Sequence, residues 1–187
     1  MPVTNSKINV RPMSVHIGAE IEGVELTQPL SAETVSKIRQ ALLKWKVVFF
    51  RDQHLDHSQH VKFARHFGAL TLGHVVFGHD ETYPEIYSVS KFRTATQNAA
   101  PPTTRPWSGW HTDVTAALNP PAASILRGDV VPPYGGDTQW TNLVTAYENL
   151  SPTFREMLDK LRGVHRFEAK ATADGESVKE FETRVKR

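Results

Sequence analysis

Apolar and polar residues alternate near the start of the chain and predict a half-buried β-strand or hairpin. The apolar positions are Met13, Val15, Ile17, Ala19 and Ile21, and His16, Gly18, Glu20 and Glu22 lie between them. Because successive side chains of a strand point to opposite faces, this period of two places the apolar set on one face.

Further along, apolar residues recur at helical spacing. Ser31 is placed to cap a helix, and the apolar face of that helix is formed by Val35, Ile38, Leu42 and Trp45. The run "VVFF" follows as a short buried strand. A second helix is predicted from about Ser58 to Phe67, ending at Gly68.

The second half of the chain predicts short strands and one more helix. The predicted strands are Leu70–Leu72, Ile86–Val89, Trp110–Thr115 and Ala123–Val131. Ser151 followed by proline is a typical helix start. The apolar face of this helix is formed by Phe154, Leu158 and Leu161. The stretch 92–109 is rich in Pro, Thr, Ala and Asn without periodicity, which predicts a long lid-like loop.

Length and composition indicate one soluble, globular domain over residues 1–187. The net charge of +2 and the scattered basic residues give no reason to expect a nucleic-acid partner. No cysteine is present, which excludes disulfides and thiolate metal sites. Apolar runs are too short to cross a bilayer, and "MPVTNSKINVRP" lacks the apolar stretch of a signal peptide. These features favour a cytoplasmic protein without a membrane partner.

Two His-x-Asp pairs are the first candidates for metal chemistry. His111 and Asp113 lie on a predicted strand, where they would aim a nitrogen and an oxygen in the same direction. Fe(II) accepts this mixture, and one further histidine would complete a facial triad. His54 and Asp56 precede a predicted helix, where Asp56 can serve as a cap. The spacing alone leaves a structural role open for either pair.

Two further histidines, His57 and His60, lie three positions apart on the second predicted helix. That spacing brings them to one helix face, but no nearby residue completes a set with zinc-ligand spacing. A solvated helix face is therefore favoured over a zinc site.

Several motifs in register resemble the TauD/TfdA family of Fe(II)- and 2-oxoglutarate-dependent dioxygenases. In chain order they are "WHTDVT", "PPA", "GGDTQW" and "AYENLS". The stretches "IGAEIEGVEL", "KVVFFRDQ" and "FARHFGAL" are also similar to the opening elements of that family. The resemblance covers nearly the whole chain. It implies an α+β fold, a double-stranded β-helix (jelly roll) flanked by helices, which would be incomplete at the C-terminus.

The resemblance also implies roles for individual residues. His111 and Asp113 match the first two iron ligands, and Thr138 in "GGDT" matches the threonine that contacts a carboxylate of 2-oxoglutarate. The substrate-binding positions would be His74, Phe77, Trp107 and Val114, although the last three could equally be packing residues. The implied cofactors are Fe(II), 2-oxoglutarate as co-substrate and O2, with no catalytic residue beyond the metal centre.

Two positions bear on the substrate. Trp107 falls near an asparagine of taurine enzymes, and Phe77 falls at their tyrosine. A more apolar pocket disfavours a charged amine. We therefore expect a small anionic substrate, an alkyl sulfonate or sulfate ester rather than taurine, and the sequence leaves a homo-oligomer open.

The family pattern also implies residues that this chain lacks. The distal iron histidine and the 2-oxoglutarate arginine lie further downstream in the family. His165 is the only histidine after Asp113, and it matches a non-ligand position. Two alternatives to an active dioxygenase follow, an inactive truncated fragment and a metal-assisted hydrolase that needs no oxygen.

Overall fold

The computed structural model describes residues 8–73, 79–89, 110–135 and 137–165. The chain divides into two compact units. The first comprises Met1–Gly68 and Arg127–Arg162, and the second comprises Ala69–Leu126 and Gly163–Arg187.

The first unit contains the regular elements in the described part of the chain. The strands are β1 (Asn9–Pro12), β2 (Ala19–Glu22) and β3 (Val48–Phe49). The helices are α1 (Ala32–Trp45), α2 (His57–Arg65), α3 (Leu143–Glu148) and α4 (Pro152–Leu158). The strands form one mixed sheet in the order β1-β2-β3, with β1 antiparallel and β3 parallel to β2.

The predicted alternating segment is a hairpin rather than one long strand. Pro12 pairs with Ala19, and residues 13–17 bend between β1 and β2. Gly18 adopts a φ of +88°, a conformation that glycine reaches without steric cost. The turn leaves Met13 and Val15 exposed, while Ala19 and Ile21 on β2 are buried.

The core joins the sheet to the first two helices. Its buried members are Ile21, Leu26, Ile38, Ala41 and Phe63. Ile38 is 1% exposed, which confirms the predicted inner face of α1. Phe63 also meets Phe50 and Phe67 edge to face, with ring centroids 5.7 and 5.3 Å apart. Such aromatic pairs stabilise a core beyond the area they bury.

Helix starts follow the predicted capping residues. The Ser31 hydroxyl accepts a hydrogen bond from the Thr34 backbone N–H, and Ser151 caps α4 in the same way through Phe154. Asp56 and Gln59 form a reciprocal capping box at the start of α2. Asp56 thus has the capping role that the sequence allowed for it.

The prediction that Phe154, Leu158 and Leu161 contribute to a core is wrong for the described residues. These side chains are 58%, 38% and 63% exposed. The described residues contain one three-stranded sheet, whose core is filled by α1 and α2, so they offer no second layer to α4. The α4 helix is instead tied to α3, where the Tyr147 hydroxyl donates to Asp159 across 2.6 Å. This bond raises the pKa of Tyr147 because only the protonated phenol can donate.

Strand predictions in the second half also fail. Residues 70–72, 86–89, 110–115 and 123–131 contain no strand in the structure. A strand needs a ladder of hydrogen bonds to a neighbouring strand as well as a suitable pattern, and the structure forms no such ladder in these segments. Among the described residues, no helix is long and apolar enough to cross a membrane.

Glu20 is the charged residue buried within the sheet, and two arginines neutralise it. Arg11 and Arg51 contact its two carboxylate oxygens at 2.5 and 3.0 Å. The hydrogen bonds from Arg11 and then Arg51 lower the pKa of Glu20 below its ordinary 4.5. An acid whose pKa is depressed by folding stabilises the fold above its unfolded pKa, and that stabilisation is lost as pH falls through the folded value.

We predict that Glu20→Gln destabilises the protein at pH 7 and that the difference from wild type shrinks below pH 4. Urea unfolding at several pH values measures this. Glu156→Gln is the control, since Glu156 forms an exposed pair with Lys160 at 3.1 Å. A Glu20→Gln deficit that persists undiminished at pH 3 would show that lost packing, not lost charge, is responsible.

Candidate metal and 2-oxoglutarate site

His111 and Asp113 are brought together within the second unit. The His111 Nε2 and the Asp113 Oδ1 lie 3.2 Å apart, and the two side chains are 52% and 56% exposed. Each of the two side chains is therefore partly open to solvent.

The backbone at His111 and Asp113 does not form the predicted strand. Residues 110–112 are irregular, and residues 113–116 form a turn closed by the Ala117 N–H donating to the Val114 carbonyl at 3.1 Å. The two side chains still converge, so their convergence comes from a turn and not from strand alternation.

Val114 occupies an unusual backbone conformation within that turn. Its φ is +54°, in the left-handed region that β-branched residues rarely adopt. Backbone strain of this kind persists only where surrounding contacts maintain it. Val114 itself is half-buried, which leaves its predicted role as a pocket wall untested.

The donor set fits two neighbouring ligands of one metal ion. Ligands about 2.1 Å from a metal and at right angles to each other lie about 3.0 Å apart. The observed 3.2 Å is close to that separation. An imidazole with a carboxylate is also the ligand mixture that Fe(II) takes in a facial triad. The same distance fits a hydrogen bond between the two side chains, so geometry alone does not require a metal.

The described residues supply no third ligand. No group of three or more His, Cys, Asp or Glu side chains with metal-site geometry occurs among them. His165 instead lies beside Thr115, with its Nδ1 2.9 Å from the Thr115 hydroxyl. The expectation that His165 is not a ligand stays a prediction.

The other histidine candidates have structural surroundings. His57 lies near Arg127, whose guanidinium is 3.1 Å from the His57 Nδ1 and donates to the Leu55 carbonyl at 2.6 Å. His57 and His60 are both half-buried, so their helix face is not the fully solvated one that the sequence favoured.

Thr138 belongs to the first unit, in an irregular segment that is anchored just after Thr138. Trp140 packs edge to face on Phe49, with ring centroids 5.7 Å apart. Asn142 caps α3 and also donates to the His16 carbonyl at 2.7 Å. The Thr138 side chain is exposed and is therefore available to a ligand.

The sequence did not indicate Arg127, Trp140 or Asn142 as anchors of this segment. Asn142 had a usable signal, since asparagine directly before "LVTAY" is typical of a helix cap. The contacts of Arg127 and Trp140 join residues far apart in the chain, and no local pattern encodes them.

Several predicted site residues lie outside the described residues. They are His74, Phe77, Trp107 and the loop 92–109. Gly135, in the "GGDT" stretch, is described and has a φ of +77°, a conformation that glycine reaches without steric cost.

Curated proteins similar to this chain include enzymes that act on sulfate esters. The chain is 40% identical over 160 residues to an alpha-ketoglutarate-dependent sulfate ester dioxygenase from Pseudomonas putida, covering 85% of this chain and 50% of that protein. It is 38% identical over 160 residues to an alkylsulfatase from Acinetobacter baylyi, covering 85% and 47%. The chain thus spans about half the length of the curated relatives it matches.

The chain is also similar to a protein of known structure. A taurine dioxygenase from Burkholderia xenovorans superposes with a TM-score of 0.75 at 59% identity, covering 88% of this chain and 55% of that one. The family model of the "Taurine catabolism dioxygenase TauD, TfdA family" matches residues 9–186, nearly the whole chain. The protein therefore belongs to the TauD/TfdA family, whose relatives are 2-oxoglutarate-dependent dioxygenases.

Proposed function

We propose that this chain is the N-terminal part of a jelly-roll dioxygenase that oxidises a small alkyl sulfate ester with Fe(II), 2-oxoglutarate and O2. The observation that carries the proposal is the convergence of His111 and Asp113 at 3.2 Å in a chain of this family. The sulfate ester is favoured over the sulfonate because the chain is similar to a sulfate ester dioxygenase and to an alkylsulfatase.

Each residue has a proposed task. His111 and Asp113 would hold the metal from adjacent positions, leaving other positions open. Thr138 would donate its hydroxyl hydrogen to a carboxylate of 2-oxoglutarate. His74 would orient the anionic head of the substrate, and Phe77, Trp107 and Val114 would enclose its alkyl chain. The loop 92–109 would limit the access of water to the site.

Iron and 2-oxoglutarate, when bound, would supply the oxidant, and 2-oxoglutarate would be converted to succinate and CO2. One oxygen atom of O2 ends in succinate and the other in the substrate. Hydroxylation of the carbon that bears the sulfate group gives a product that releases sulfate and leaves an aldehyde. The protein's contribution is to place that carbon and exclude water.

Exposed apolar side chains on α3, on α4 and just after α4 support the view that this chain needs further packing partners. Leu143, Val144, Phe154, Met157 and Leu161 are each at least 49% exposed. Large exposed apolar surfaces commonly mark an interface. The fully assembled site would then include residues beyond the described ones, and the alternative of an inactive fragment stays open. The single-domain and cytoplasmic predictions likewise stay predictions.

The two His-x-Asp pairs provide a matched test of metal binding. We predict that His111→Ala or Asp113→Asn weakens Mn(II) binding at least about tenfold, because each removes one of two ligands. His54→Ala and Asp56→Asn should leave it unchanged. Asp56→Ala should instead destabilise the fold by about 1 kcal/mol through loss of the α2 cap.

Mn(II) affinity is measured by the electron paramagnetic resonance signal of free Mn(II), and stability is measured by urea unfolding. The assignment of His111 and Asp113 as metal ligands would be contradicted if variants of both pairs lost Mn(II) affinity equally. It would also be contradicted if variants of neither pair lost affinity.

Anaerobic addition of Fe(II) and 2-oxoglutarate tests the cofactors. We predict a visible charge-transfer band that Thr138→Val weakens by raising the Kd for 2-oxoglutarate about tenfold, because a hydrogen bond to a charged group is lost. Thr138→Ser is the control and should retain the band. A band from a longer natural form of the protein but not from this chain would support the fragment alternative.

Substrate oxidation distinguishes the remaining alternatives. We predict at least about tenfold higher kcat/KM for hexyl sulfate than for taurine, because an apolar pocket penalises the ammonium group. Trp107→Asn should lower the ratio of kcat/KM for hexyl sulfate to kcat/KM for taurine. Equal turnover of the two compounds would contradict the proposed pocket, and sulfate release without oxygen would indicate a hydrolase.

A further inference from the structure

The turn that carries the candidate metal aspartate is tied to a distant part of the chain. Thr115 follows Asp113 by two positions, and its hydroxyl lies 2.9 Å from the Nδ1 of His165. The two residues are 50 positions apart in sequence and belong to the same compact unit. This contact joins the 113–116 turn to the segment that follows α4.

The turn needs such a restraint because its backbone is strained. Val114 lies between Asp113 and Thr115 with a φ of +54°. A β-branched residue in this region relaxes toward ordinary backbone angles unless its neighbours prevent it. The Ala117 N–H, 3.1 Å from the Val114 carbonyl, restrains the far side of the turn, and Ala117 is itself buried. The Thr115–His165 bond restrains the side next to Asp113.

Gly163 provides the space that the His165 ring occupies. A Cβ atom added at Gly163 would stand 3.3 Å from the His165 Nε2 and 3.8 Å from its Cδ2. The φ of Gly163 is not positive, so a side chain at this position would crowd the imidazole without straining the backbone. The Thr115 hydroxyl contacts the ring, and the absence of a side chain at Gly163 leaves room for it.

We propose that His165 is a positioning residue, which holds the 113–116 turn through Thr115 and so keeps the Asp113 carboxylate beside the His111 imidazole. The inference rests on the proposed function, because it requires that His111 and Asp113 bind a metal. His165 is not a ligand in this account. By restraining the turn, His165 would raise the fraction of molecules in which Asp113 is already placed to bind a metal, and metal affinity rises with that fraction.

Metal affinity tests the inference with a readout other than turnover. In the full natural chain, His165→Ala and Thr115→Val are each expected to raise the Kd for Mn(II) about tenfold, the lower end of the effect of removing an outer partner of a metal ligand. Because both remove the same contact, the double variant should bind no more weakly than either single one. His165→Asn and Thr115→Ser keep a polar atom in place and should restore affinity.

Gly163→Ala supplies an independent probe, since its added Cβ would push the ring by a few tenths of an ångström while leaving both bonding groups in the chain. It should weaken Mn(II) binding in the wild-type background and have no further effect in His165→Ala. The absorption of bound Co(II) should change in the same variants if the ligand geometry loosens. His54→Ala is the control histidine, and unfolding curves establish that each variant is folded.

The outcomes separate the two proposals. If wild type binds Mn(II) and the folded His165→Ala and Thr115→Val variants bind it equally well, the positioning role is overturned and the proposed metal site is not. Additive losses in the double variant also overturn it, because they show that the two residues act independently. No Mn(II) binding by wild type overturns both the proposed function and this inference.

Discussion

The packing of α1 against the β-sheet is the interaction on which the described structure depends. Ile38 on α1 and Ile21 on β2 are almost fully buried in one cluster with Phe63 of α2. Removing a large apolar side chain from such a core typically costs about 2–5 kcal/mol, a large fraction of the stability of a domain. Within the first unit, the segment 127–142, which carries Thr138, is attached to this scaffold.

The attachments are few and specific. Arg127 holds the start of the segment 127–142 by donating a hydrogen bond to the Leu55 carbonyl. The end of this segment is held by the ring contact of Trp140 with Phe49 and by the hydrogen bond from Asn142 to the His16 carbonyl. Thr138 lies between these anchors and remains exposed. In the second unit, the turn after Asp113 is restrained by Ala117 and His165. Rigid attachment next to exposed functional groups is the arrangement that ligand binding requires.

Local features of the fold could be predicted from sequence, and long-range ones could not. The Ser31 and Asp56 caps and the buried face of α1 each depend on residues within a few positions of one another, and the structure has them where they were expected. The strand expected at 110–115 depends on a pairing partner elsewhere in the chain. A pattern of β-branched residues reports a preference for extended backbone and cannot show that Val114 adopts a φ of +54°.

The candidate site shows the same division. Motif order identified the family, and the family model over residues 9–186 confirms it. The roles of His111, Asp113 and Thr138 stay predictions, because spacing cannot show that two donors converge on one ion. The 3.2 Å separation adds the missing geometric support for the first two. The contact between Thr115 and His165 had no sequence signal, since it joins residues from separate segments.

The most direct test of the central claim is anomalous diffraction from a crystal of the protein grown with Mn(II). The account predicts one strong anomalous peak about 2.1 Å from both the His111 Nε2 and the Asp113 Oδ1. A metal peak elsewhere, with these two side chains hydrogen-bonded only to each other, would contradict it.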